Sequence, residues 1–217
     1  MHKALVWKEL RESAELIAVA VLGAVFVLSE LTGVELLPFQ SGQASAYPFV
    51  ADGGLWFYFS LLAGGLAILL GLKQSSWELW QGSYFFLLHR PASRRTLFGI
   101  KLAVGLATLL IITGALIQIY AMWAATPGTH ATPFFWSMTI PAWQMWFSFP
   151  LLYLGAFLSG IRPGHWFGSR LAPLVGSAAL VLVCSVLPWW WLSLAIVLLA
   201  GAAFVTSILL HVETRDY

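Results

Sequence analysis

Charge is what this sequence has least of. Only 9% of its 217 residues are Asp, Glu, Lys or Arg, against 60% that are hydrophobic. Soluble domains carry about 25% charged residues, so an ordinary water-soluble fold is excluded. Cysteine is nearly missing as well. Cys184 is the sole example, which rules out an internal disulfide, and its apolar neighbours offer no positive charge to activate the thiol. No G-x-x-x-x-G-K-[ST] loop is present, so the chain does not bind and hydrolyse a nucleoside triphosphate by that route. Nor is there an H-E-x-x-H, a cysteine–histidine metal spacing or a G-x-S-x-G. None of His2, His89, His130, His165 and His211 is placed to form a buried catalytic pair. No catalytic residue, metal ligand or cofactor is therefore assigned to this chain, and it is not expected to be an enzyme. The net charge of +2 is scattered rather than gathered on one face, so no nucleic-acid partner is expected.

What the sequence has instead is long apolar runs. Six lie at about 15–32, 55–72, 102–124, 137–160, 171–187 and 189–210, each near the ~20 residues that a helix needs to cross a bilayer. Pro188 separates the last two, because proline breaks a helix, and a tight turn there is the better reading than one overlong helix. Pro141 and Pro150 predict a fourth span that is kinked or begins as a broken segment. Ahead of the first span, residues 1–14 read as an interfacial helix. Lys8, Arg11, Glu12 and Glu15 form a polar stripe, with Val6, Leu10, Ala14 and Ile17 opposite. The alternative is a charged flank. A cleavable leader is not expected, since its one candidate site, Ala44-Ser45-Ala46, lies too far beyond the first run.

The loops then orient the spans. All 11 Lys and Arg fall in 1–14, 73–101, 161–170 and 211–217, and positive residues favour the cytoplasmic side. Both termini are thus expected in the cytoplasm. Trp56, Phe57, Tyr58, Trp123, Trp136, Trp143 and Trp189-Trp190-Trp191 fall at the other boundary, as an aromatic belt would, the alternative being an aromatic-lined entry site for a lipid or drug. Ala172 and Gly176 form a small-x-x-x-small pair, suited to close helix approach within the chain or to a second copy.

One polar stretch between spans, residues 73–101, holds five of the basic residues: Lys73, Arg90, Arg94, Arg95 and Lys101. Ser75 and Glu78 have the spacing of a capping box, which predicts a short helix over 75–88. Trp77, Trp80, Tyr84, Leu87 and Leu88 would share one of its faces, and Pro91 would end it. The order Glu78, Gly82-Ser83, Leu87-Leu88, Pro91, Ser93-Arg94 and Lys101 resembles the signature of the ABC type 2 permease family, the membrane subunits of many bacterial ATP-driven exporters. Ser83 stands where that family has threonine.

The resemblance implies a single all-α membrane domain, 1–217, with six transmembrane helices, an N-terminal interfacial helix and a cytoplasmic coupling helix over 75–88. It implies a place in the bacterial inner membrane. It also implies two separate ABC ATPase subunits, which would hold ATP and Mg, and a second permease subunit in a homo- or heterodimer. The coupling residues would be Trp77, Glu78, Trp80, Gly82, Tyr84, Leu87, Leu88, Arg90, Pro91 and Arg94. The spans lack ionisable groups apart from Glu30, which argues against ion-coupled transport. Thr108, Thr113, Gln118 and Gln144 are candidates for a translocation path, or else for interhelical hydrogen bonds. The rival readings are an integral-membrane enzyme acting on lipid or peptide, and a non-transporting anchor or assembly factor.

Overall fold

Seven α-helices make up most of the structure, a computed structural model that describes residues 2–38, 44–45, 47–49, 54–81, 94–162 and 169–214. Side chains are described for all of these except 2, 77–81, 94 and 214. The helices are α1 (His2–Glu12), α2 (Ala14–Thr32), α3 (Gly54–Gln81), α4 (Arg94–Ala125), α5 (Ile140–Ile161), α6 (Ala172–Val186) and α7 (Trp190–Thr214). No strand occurs among the described residues. Five helices, α2, α3, α4, α5 and α7, are long and apolar enough to cross a membrane. Their outward faces carry large apolar side chains, among them Leu22, Leu61, Ile111 and Leu199, the reverse of a water-soluble surface.

The sixth expected span, 171–187, is a shorter element. α6 has 15 residues, about 22 Å at 1.5 Å per residue, which falls short of the ~30 Å hydrocarbon core. Pro188 ends it as expected, and only residues 187–189 separate it from α7. The fourth span is not broken at its internal proline. α5 is one continuous helix through Pro150, entered by a 3-10 turn at Trp136–Thr139. Pro141 sits in its first turn, where a missing N–H costs no hydrogen bond.

α5 is the axis of the bundle because it is apolar on every side. Each residue from Leu151 to Ile161 is buried, with α3 and α6 packed closely against it. The contact with α3 follows a four-residue repeat of small side chains, Ala63, Ala67, Gly71 and Ser75, all of them buried. A side chain at Gly71 would meet the backbone of α5, with Tyr153 O 2.6 Å and Phe157 N 3.0 Å away. Here glycine sets the helix separation. The Ala172–Gly176 pair does no such work among the described residues: both are exposed, and no described atom lies within 4 Å of a Cβ built at Gly176.

α1 packs along α4, but not through its apolar stripe. The buried positions are Leu5, Glu9 and Ser13, one step round the helix from Val6, Leu10 and Ala14. Val6 and Ala14 are exposed. The bundle selects this face because Glu9 finds a cation there, described next. At the opposite end of the bundle Phe49, with a left-handed φ of 62°, is held between Tyr120 and Phe134. Tyr120 in turn stacks on Trp123.

Candidate functional site at the charged end of the bundle

The end where α3 stops and α4 begins holds a set of polar contacts between helices. Lys101 Nζ lies 3.1 Å from Glu9 Oε1, with both side chains more than nine-tenths buried. Tyr153 on α5 donates to Gln74 Oε1 on α3 at 2.6 Å, and its hydroxyl is 3.4 Å from Lys101 O. Tyr153, Gln74 and Ser75 are all buried. Gln74 Nε2 has no hydrogen-bond partner among the described residues, and an orphaned buried donor costs about 1–3 kcal/mol. Gly105 makes this meeting possible, since a Cβ there would strike both the Tyr153 hydroxyl and Gln74 Oε1.

Further contacts close this end. Arg95 pairs through two nitrogens with Glu213 at the end of α7. Arg170 donates to Ser159 O at 3.1 Å and Gly160 O at 2.9 Å, covering terminal carbonyls of α5 that no later turn can reach. The Ser159 hydroxyl accepts from Leu174 N at 3.1 Å, serving an N–H in the first turn of α6. Lys73 and Glu15 lie 3.5 Å apart, but Glu15 is almost fully exposed, so that pair contributes little.

The polar stretch of residues 73–101 thus leaves from and returns to one network. Gln74 and Ser75 stand where it leaves α3, Lys101 stands where it has entered α4, and Tyr153 touches both sides. Within the stretch, α3 runs unbroken from Gly54 to Gln81, so no helix starts at Ser75. Its hydroxyl donates to Gly71 O of its own helix at 2.6 Å instead of capping an N-terminus. Trp77, Glu78 and Trp80 continue α3, although their side chains lie outside the described residues. So do Gly82, Tyr84, Leu87, Leu88, Arg90 and Pro91 entirely, while Arg94 is the first residue of α4.

The four path candidates sit in different surroundings. Thr113 is buried and donates to Leu109 O within its own helix at 2.6 Å. Thr108 is buried and Gln118 exposed. Gln144 is buried, and its amide nitrogen is 2.8 Å from both Cys184 O and Leu187 O and 2.9 Å from Ser193 Oγ. It ties α5 to the α6–α7 turn, whose carbonyls have no later helical N–H to meet. Gln144→Leu should therefore lower stability by about 1–3 kcal/mol, read as a lower thermal unfolding midpoint in detergent. An unchanged midpoint would mean that the turn is held some other way.

Sequence reasoning missed Glu9, Gln74 and Tyr153. The available signal was a tyrosine inside an otherwise apolar run, whose buried hydroxyl must find a partner. Among the described residues no cluster of three or more His, Cys, Asp or Glu side chains could hold a metal ion. Comparison with protein-family models, curated proteins and solved structures finds no match in any of the three.

Proposed function

We propose that this chain is the membrane subunit of an ATP-driven ABC exporter, working as a dimer with two separate ATPase subunits in a bacterial inner membrane. The observation that carries this reading is the convergence of both ends of the 73–101 stretch on the Glu9–Lys101–Tyr153–Gln74 network. A partner that moves this stretch would load α3, α4, α5 and α1 at once, because one buried set of contacts joins them. ATP then needs only to favour one arrangement of the ATPases over another for the bundle to change state. Trp77, Trp80 and Tyr84 would supply apolar contact to the ATPase, with Glu78 and Arg90 as polar partners. Residues 1–14 would lie at the cytoplasmic interface and both termini on that side, in keeping with the one-sided Lys and Arg.

Purification of the tagged chain from its native membrane tests the proposal. The complex should hydrolyse ATP through a second polypeptide, and the chain stripped of that polypeptide should not. A complex without ATP turnover would favour an anchor or assembly factor. Turnover of a lipid or peptide by the chain alone would favour an enzyme.

A further inference from the structure

A cavity of about 340 Å³ opens at the aromatic end of the bundle, between α3, α5 and α6. It is lined by Trp56, Ser60, Pro141, Gln144, Met145 and Ser185. Its volume falls within the roughly 300–1,000 Å³ of small-ligand sites. Trp56 and Ser60 belong to the first two turns of α3, Gln144 to the second turn of α5 and Ser185 to the last turn of α6. The cavity therefore lies near the boundary of the apolar region, and the exposed Pro141 and Ser185 form its lip.

The chemistry of the lining is selective. With its nitrogen committed to the α6–α7 turn, Gln144 keeps Oε1 as an acceptor that has no partner among the described residues. Those same contacts fix the amide in place, so the acceptor is preorganised. The Ser60 hydroxyl is also unpartnered among the described residues, unlike Ser148, which donates to a carbonyl of its own helix. Ser185 spends its proton on Leu182 O and so offers only lone pairs. Acceptors outnumber donors here: Gln144 Oε1 and the hydroxyl oxygens of Ser60 and Ser185 stand against the Ser60 O–H and the Trp56 indole N–H, so an occupant must bring donors. Neutral donors suit it best. No charged residue is in the described lining, so a buried ionic group would find no counter-charge there. The half-buried indole of Trp56 supplies an apolar ring face beside these groups.

We infer that this cavity binds the neutral, hydroxyl-bearing headgroup of an amphiphile, of the sugar or polyol type, whose apolar tail lies along the bundle surface. Several O–H donors would meet Gln144 Oε1, Ser60 Oγ and Ser185 Oγ, and the C–H face of the ring would rest on Trp56. The inference concerns binding alone and does not require an ATPase, so its failure leaves the transport reading intact.

The test uses the full chain in phosphatidylcholine nanodiscs and a photoactivatable alkyl glucoside as the probe. Saturable labelling is expected in peptides spanning 56–60 and 141–145, competed by unlabelled alkyl glucoside. Alkyl sulfate and alkyl trimethylammonium of the same chain length should not compete. Ser60→Phe, which fills the space, and Trp56→Ala, which removes the ring face, should each weaken apparent affinity by about tenfold, a change of about 1.4 kcal/mol. Leu69→Phe, in the separate apolar groove between α2 and α3, should leave it unchanged. If one pocket variant fails to fold, the other decides. Labelling that does not saturate, equal competition by the charged amphiphiles, or undiminished affinity in a folded pocket variant would overturn the assignment.

Discussion

Replacing Lys101 by methionine should destabilise the protein by about 3 kcal/mol or more, the usual consequence of removing one partner from a buried ion pair. Glu9 would keep its place in the interior with its cation gone, since Leu5 one turn before it on α1 and Ser13 just after α1 are also buried. Most of that cost comes from the stranded carboxylate rather than from the lost attraction. The double variant Glu9→Gln/Lys101→Met should therefore recover a large part of the loss, because a neutral amide is far cheaper to bury than a carboxylate that has lost its lysine. Chemical or thermal unfolding of the four members of this cycle gives the coupling directly. Additive losses would mean that the two side chains act independently and that α1 is not held to α4 by this contact. The pair also bears on function: with α1 released, force applied to the 73–101 stretch would reach fewer helices.

Gly71→Ala should have an effect of similar size for an unrelated reason. The added methyl would stand 2.6 Å from Tyr153 O and 2.8 Å from Ala156 Cβ. A carbonyl in the middle of a buried helix cannot rotate aside as a side-chain tip can, so α3 and α5 must move apart. Overpacking of this kind costs about 1–3 kcal/mol, occasionally more, and separation of these two helices also pulls Gln74 away from Tyr153. Gly65→Ala is the matched control on the same helix. Among the described residues nothing lies within 4 Å of its added Cβ, so the substitution should be neutral or slightly stabilising through helix propensity. Equal melting behaviour of the two variants would show that α3 and α5 do not pack as closely as described.

The long elements were legible in the sequence because apolar length is a strong signal. The first, second and third runs fall within helices long enough to cross a membrane, and the fourth and last match such helices except for their first few residues. Shorter features were less legible. The run at 171–187 has apolar composition throughout, but proline at each end limits the helix to Ala172–Val186. Ser75 and Glu78 match a capping box by spacing, and spacing alone does not distinguish a cap from a mid-helix serine bonded to the carbonyl four residues back. Lys73 and Gln74 end the apolar run without ending the helix. Hydropathy therefore marked a boundary that the backbone ignores.

The network itself was hidden for a different reason. Glu9 and Lys101 are far apart in the chain, and each by itself reads as a loop charge. Only packing brings them together. The repeat Ala63, Ala67, Gly71, Ser75 was open to inspection and does pack against α5, whereas the more obvious pair Ala172 and Gly176 faces outward. The spacing was equally good in both cases. What separates them is which face the surrounding large residues turn toward the axis.

Trp80→Ala tests the central claim most directly. The parent chain, Trp80→Ala and Trp166→Ala, a control outside the 73–101 stretch, are each purified with whatever ATPase they retain. ATP turnover per retained ATPase and ATPase affinity are then measured in nanodiscs. Loss of a central aromatic anchor commonly costs about 2 kcal/mol or more of binding, roughly thirtyfold in affinity. The permease reading predicts that loss for Trp80→Ala, with helical content and membrane insertion unchanged, and parental affinity for Trp166→Ala. Parental affinity in a folded Trp80→Ala, or the absence of any ATP-hydrolysing partner on the parent chain, would contradict it.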